Sequence, residues 1–280
     1  MPIDVDAYLR RIGYAESRSP SLGTLRAIHR LHAESIAFEN LNPFLRWPVA
    51  LDAASLERKL VAGGRGGYCF EHNLLLQHAL TQLGFRTTAL AARVRWNAPA
   101  EVVTARSHML LLVALDDGDY VADVGFGGLT LTGPLRLDDE TAQPTPHGRF
   151  RLRREKRDYI MEAELGGEWR ALYRFNLEPQ FQVDYEVSSW YLSNHPSSHF
   201  VTGLIAARPA ADGRRYALRG AELAIHHPDG STERQALTSA ADFRAALAGP
   251  FRIALPDTPE LDPALERLVT AATVAASRPA

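Results

Sequence analysis

Arg65-Gly66-Gly67-Tyr68-Cys69-Phe70-Glu71-His72-Asn73 holds the single cysteine of a 280-residue chain. The glycine-rich run from Gly63 leads into it, and "CFEHNLLLQHALTQLGF" follows. In that continuation Leu75, Ala79 and Leu83 share one helical face, Leu76 and Leu80 flank it, and Gly84 is a stop signal. A glycine turn therefore feeds a helix that begins at or beside Cys69. A thiol there sits among unpaired backbone N–H groups and at the positive end of the helix dipole, which both favour the reactive thiolate. The glycines permit a sharp turn and leave room beside the sulfur. Two readings stay open at this point: a small buried hydrophobe, or a nucleophile that needs a base and a group to orient that base.

Upstream, the sequence reads as helical. Val5, Tyr8, Leu9 and Ile12 form one apolar stripe, and Leu22, Leu25, Ile28 and Leu31 form another after Ser19-Pro20-Ser21. "AASLERKL" is a further short helix. From Arg86 to Phe175 the period changes to that of strands: "FRTTALAARVRW", then "SHMLLLVALDDGDYVADVGFGG" with a turn at Asp116 to Asp119. Three more strands follow to Phe175, with turns at Glu155-Lys156 and Gly166-Gly167. Many short antiparallel strands indicate a small barrel or sandwich. "FQVDYEVSSWYLSN" reads as a linking helix, "HFVTGLIAARP", "RYALRGAELAIHH" and "STERQAL" as strands, and helices open at Ser239 and Asp262. Helices, then strands, then a mixed unit make an α+β protein.

Composition narrows the class. With 31 basic and 33 acidic residues interspersed, nothing points to nucleic acid or an anionic membrane. One cysteine excludes an intrachain disulfide framework and a cysteine-rich metal site. The first residues carry charges where a secretory signal needs an apolar core, and no run reaches the length of a membrane span. A cytoplasmic protein is expected.

A nucleophilic Cys69 needs a base among ten histidines. His29 and His32 are read as lying on a surface helix, His226 and His227 as flanking a hairpin turn, and His72 as facing solvent. His78 is more than two turns from Cys69. His108 differs, because it heads the apolar strand "MLLLVAL", where an imidazole gains nothing from packing. Asp123 likewise interrupts an apolar strand, and a carboxylate there needs a partner. If Leu115 pairs with Tyr120, the two share a face of the pleat but lie four residues apart, roughly 13 Å. A bulge or strand coiling would have to close that gap.

"RGGYCFEHN", with "IAFENL" upstream and "SHMLLLV" and "DVGFGG" downstream, resembles the arylamine N-acetyltransferases. "YLRRIG", "WYLSNHPSSHF" and "FRAALAGPFRIAL" extend the likeness. It implies a cysteine-proteinase-like arrangement: an N-terminal helical bundle (1–85), a central antiparallel β-barrel (86–190) and a C-terminal α/β lid (191–280). The triad would fall on Cys69, His108 and Asp123. Acetyl-CoA would be the co-substrate, with no metal, and an arylamine or arylhydrazine the acceptor. The family also implies a role in xenobiotic metabolism; a homo-oligomer stays open. By resemblance, Phe38, Phe126 and Phe200 are candidate walls of the acceptor pocket. Gly127 and Gly128 are candidates for close approach to coenzyme A, and Trp96 for packing against it. His72 stands where many relatives carry Gln, a tolerable change because it follows the turn at Cys69. "SNHPSSHF" is more polar than a common family form and Met109 stands where a smaller or polar residue is common, so acceptor preference stays open. Alternatives are an N-hydroxyarylamine O-acetyltransferase or amide synthase of the same family, a cysteine hydrolase or transglutaminase-like enzyme, and a binding protein with an inert buried thiol.

Overall fold

The computed structural model describes residues 2–99 and 101–276. The chain opens with α1 (Val5–Ile12), whose Asp4 cap accepts from Ala7 N, and α2 (Leu22–Ser35), capped by Ser21. Strand β1 (Phe38–Glu39) and the turns α3 (Leu41–Phe44) and α4 (Ala53–Leu56) follow, and α4 runs on into a π-helical segment, Glu57–Ala62. Helix α5 (Cys69–Gln82) is buried from Cys69 through Leu76 and again at Ala79 and Leu80. It is packed on nearly all sides, which is why its apolar residues crowd more than one face. Tyr8, Leu9 and Ile12 of α1 and Leu25 and Ile28 of α2 close around it.

Eight antiparallel strands follow: β2 (Arg86–Val94), β3 (Arg106–Leu115), β4 (Gly118–Ala122), β5 (Leu135–Arg136), β6 (Gln143–Thr145), β7 (Gly148–Glu155), β8 (Asp158–Leu165) and β9 (Glu168–Phe175). Their order, β5-β4-β3-β2-β9-β8-β7-β6, makes a nearly closed barrel. The strand period of two serves two cores at once. Met109, Leu111 and Val113 of β3 face α5, while Leu110 points into the barrel with Val121, Phe150, Met161 and Tyr173.

One expected register is corrected. Leu115 pairs with Gly118, not Tyr120, because only Asp116 and Asp117 form the turn. The ladder runs to Leu111 opposite Ala122, so Asp123 follows on against Leu110, two residues from His108. Diagonal neighbours of that kind are about 7–8 Å apart, within reach of two side chains.

Helix α6 (Gln182–Asn194) returns along the molecule to α7 (His199–Thr202), a short turn where a strand was expected; Ser198 caps it by accepting from Phe200 N. The last sheet holds β10 (Ile205–Pro209), β11 (Arg215–Arg219), β12 (Glu222–His226) and β13 (Thr232–Ala236), with β1 as its other edge. Phe38 pairs with Ala207 and Glu39 with Ala206. Helices α8 (Ala240–Ala248) and α9 (Leu261–Ala276) cover this sheet through Phe243, Leu247, Leu261 and Leu265.

Candidate active site

The residues before and after Cys69 fix its position from several directions. Glu71 reaches back to accept from Tyr68 N at 3.1 Å, fixing the start of α5, and pairs with Lys59 at 2.7 Å. Arg65 pairs with the buried Glu39 at 2.7 Å and also bonds Asn42. Gly66 passes so close to β1 that a Cβ would stand 1.9 Å from Ala37 O, so no other residue fits. The Tyr68 hydroxyl is bonded to Ser189 of α6. Cys69 itself is buried, with Sγ 3.6 Å from the Ser107 carbonyl.

His108 and Asp123 meet. His108 Nε2 donates to Asp123 Oδ2 at 2.7 Å, and the two residues are 3% and 0% exposed. Asp123 Oδ1 accepts from Asn73 Nδ2 at 3.0 Å and from Gly125 N at 2.9 Å. Burial alone would push the imidazole pKa down. The charge and hydrogen bond of Asp123, with the Cys69 sulfur as a second hydrogen-bonding partner, outweigh burial and lift it to about 10. Burial would likewise raise the Asp123 carboxyl, but the charge and hydrogen bond of His108 with the Asn73 and Gly125 donors bring it below its ordinary value. At neutral pH the site therefore holds an imidazolium clamped by a carboxylate, with the sulfur on the imidazole's other side.

Phe126 meets the His108 ring edge-on at 5.2 Å, and Tyr173 packs on the same ring at 4.9 Å. Phe38 and Phe200 lie 6.1 Å apart, and Phe200 meets Tyr68 edge-on at 5.5 Å. Gly127 has a φ of 83° and faces the Phe38 ring, while Gly128 is exposed with open space where a side chain would be. Trp96 packs on the barrel, on the same cluster as Phe126 and Tyr173, and lies 5.5 Å beneath the Arg170 guanidinium. A cleft of about 800 Å³ between α2 and residues 132–146 touches none of the sequence-derived site residues. Among the described residues no three His, Cys, Asp or Glu converge as a metal-ligand set.

Three histidines expected at the surface are buried. His29, His32 and His72 are each 0% exposed. His29 Nε2 accepts from Asp123 N at 3.1 Å, and His32 and His72 are bonded to each other. The burial of His29 and His32 follows from α2, where Leu25, Ile28, His29 and His32 form one helical face, and that of His72 from α5, which is enclosed from Cys69 through Leu76. Asn73 is the most informative residue that the motif reading passed over. Its amide nitrogen bonds Met109 O and Asp123, and its oxygen accepts from Val124 N, so it ties α5 to both sides of the His108–Asp123 pair.

A family profile described as N-acetyltransferase matches residues 21–259. An arylamine N-acetyltransferase of Mycolicibacterium smegmatis is 48% identical over 92% of this chain and 94% of its own. The chain belongs to the arylamine N-acetyltransferase family. Another member, the arylamine N-acetyltransferase / N-hydroxyarylamine O-acetyltransferase of Salmonella typhimurium, is 39% identical over 81% of each chain. The solved structure of the Mycobacterium marinum family member in complex with CoA superposes with a TM-score of 0.91 at 42% identity, covering 95% of this chain and 99% of that one.

Proposed function

We propose that the chain transfers an acetyl group from acetyl-CoA to an arylamine or arylhydrazine in two steps, through an acetyl-Cys69 intermediate. The observation that carries this reading is the buried Asp123–His108 pair beside a cysteine at a helix N-terminus. In the first step the Cys69 sulfur attacks the thioester carbonyl. The amides of the first turn of α5, which have no carbonyl one turn back, would hold the oxyanion. The C–S bond to coenzyme A breaks, and His108 gives its proton to the departing thiolate. In the second step a neutral aromatic amine attacks the acetyl-cysteine, His108 takes the amine proton, and the cysteine sulfur leaves. Asp123 holds the imidazole orientation and offsets its charge throughout.

Phe38, Phe126 and Phe200 form the acceptor walls in this proposal; the Phe38–Phe200 contact and the packing of Phe126 on His108 support it. Gly127 and Gly128 would let coenzyme A approach the backbone, supported by the open space at Gly128; Trp96 gains no such support. Residues 1–85 would supply the nucleophile, 86–190 the His and Asp, and 191–280 a lid over the site they form. The name of the Salmonella relative favours O-acetylation of N-hydroxyarylamines as a second activity of the same site. A reducing cytoplasm suits a free catalytic thiol, and xenobiotic amines are acceptors of the right chemistry.

Intact-mass measurement after brief mixing with acetyl-CoA tests the scheme. One acetyl group should appear, be absent in Cys69→Ala, and be discharged by an arylamine. No adduct on a protein whose Cys69 alkylates rapidly would overturn acetyl-CoA as donor.

A further inference from the structure

Tyr8, His32 and His72 form a buried line from α1 through α2 to α5 that the proposed reaction does not use. Tyr8 Oη is 2.9 Å from His32 Nδ1, His32 Nε2 is 3.0 Å from His72 Nδ1, and His72 Nε2 is 3.1 Å from Ala37 O. The far end fixes every proton along it. A carbonyl only accepts, so His72 carries its proton on Nε2. Its Nδ1 then accepts, so His32 carries its proton on Nε2, and the Tyr8 hydroxyl donates to His32 Nδ1. Burial keeps both imidazoles neutral, with the His72 pKa down to about 4. The line starts at a phenol and stops at a carbonyl, so it has no terminal group to receive a proton. It can hold atoms in place; it cannot relay charge.

What it holds is the segment beside the reacting sulfur. Ala37 O also accepts from Gly67 N at 3.4 Å, and Glu39 N donates to Gly67 O at 2.8 Å. Between these anchors, Phe38 lies with its ring nearly parallel to that of His72, at 7° and 6.4 Å between centroids. Its other neighbours are Phe200 and Gly127. The Phe38 ring is therefore backed by an imidazole whose orientation the hydrogen-bonded line determines.

We propose that His72 is a positioning residue for the amine acceptor, setting the plane of Phe38 through its hydrogen bond to Ala37 O and its ring behind the Phe38 ring. The inference rests on the proposed acetyl-transfer reading only for its effect on the reaction. The donor step uses Cys69, His108 and Asp123, which the line does not touch, so loss of His72 acts on the acceptor step.

The test separates the half-reactions in the full-length protein. His72→Leu removes the donor and acceptor of the ring at similar volume. It should leave acetylation of Cys69 by acetyl-CoA within about twofold and raise the arylamine KM about tenfold, the size expected for one orphaned buried hydrogen bond. His72→Gln, which offers an amide donor to Ala37 O and an oxygen to His32, should recover most of that loss. An unchanged amine KM in His72→Leu, or equal slowing of both steps with no recovery in His72→Gln, would overturn the proposal. Should His72→Leu fail to fold, ¹⁵N NMR of the wild-type imidazoles still decides. Protonated Nε2 and bare Nδ1 on both His32 and His72 are expected, and an Nδ1–H tautomer on either overturns the line. This readout needs no turnover: a wild type that takes up no acetyl group refutes the proposed reaction and leaves the tautomers to decide the hydrogen bonding.

Discussion

Gly125 packs directly on the backbone of Cys69: a Cβ at Gly125 would stand 2.8 Å from Cys69 Cα and 2.8 Å from Asn73 Nδ2. The loop that carries Asp123 and the helix that carries Cys69 are thus in backbone contact, with no side chain between them. Gly125→Ala must move one of them. A displacement of roughly 1 Å in a catalytic group costs on the order of a hundredfold in rate. We expect a fall of that size in kcat/KM, with far-UV circular dichroism unchanged. Wild-type kinetics in the variant would show that the close approach does not matter.

Asp123→Asn removes the charge that holds His108 up. Burial then dominates, and the imidazole should be neutral at pH 8 in the variant while it is protonated there in the wild type, as NMR titration would report. The acetylation rate should drop by about 10⁴-fold, the scale seen when the third member of such a triad loses its carboxylate.

Stability should fall toward acid. His29 and His72 are buried neutral, with pKa values lowered to about 4, whereas their unfolded values lie near 6.5. The unfolded chain therefore takes up protons first, and the stabilising contribution present above pH 6.5 is lost as pH falls toward 4. Each group costs roughly 1.4 kcal/mol per pH unit in that window, so the pair costs about 4 kcal/mol between pH 6.5 and 5. His108 has the opposite sign: raised to about 10, it stabilises fully below pH 6.5 and loses that contribution as pH rises through 10. Urea midpoints at pH 5 and 7 test the acid limb, to which buried His32 contributes with the same sign, and His72→Gln should reduce its slope.

Arg65→Met strands Glu39, which is 0% exposed and has the Arg65 guanidinium and Leu41 N as partners. Removing one side of a buried pair costs about 3–5 kcal/mol. Denaturant unfolding should show a loss of that order, and adding Glu39→Gln should return part of it. Additive losses in the double variant would argue against coupling between the two side chains.

The sequence signals that proved reliable were local. A glycine turn, one cysteine and an apolar run located the start of α5, and strand alternation placed His108 and Asp123 on one face of the sheet. The spacing between those two failed by two residues, because Asp116-Asp117-Gly118-Asp119 admits more than one turn and the tight one puts Leu115 on Gly118. His29 and His32 read as surface residues by polarity although the signal for burial is present in the sequence. They extend the Leu25–Ile28 stripe at helical spacing, and polarity outweighed position. Strand β1 was illegible for another reason: two residues carry no period, and their partner lies in β10.

That distant pairing has a consequence for how the protein is made. Phe38 and Glu39 meet Ala207 and Ala206 about 170 residues further along the chain. At roughly 5–20 residues per second, synthesis needs on the order of ten to thirty seconds to deliver that partner. Until then the emerging chain carries Cys69 while the outer edge of β1 has no strand to bond. A ribosome stalled at residue 190 would hold Cys69, His108 and Asp123 without Phe200 or β10, so the order of translation keeps the surroundings of Cys69 incomplete until those last elements arrive.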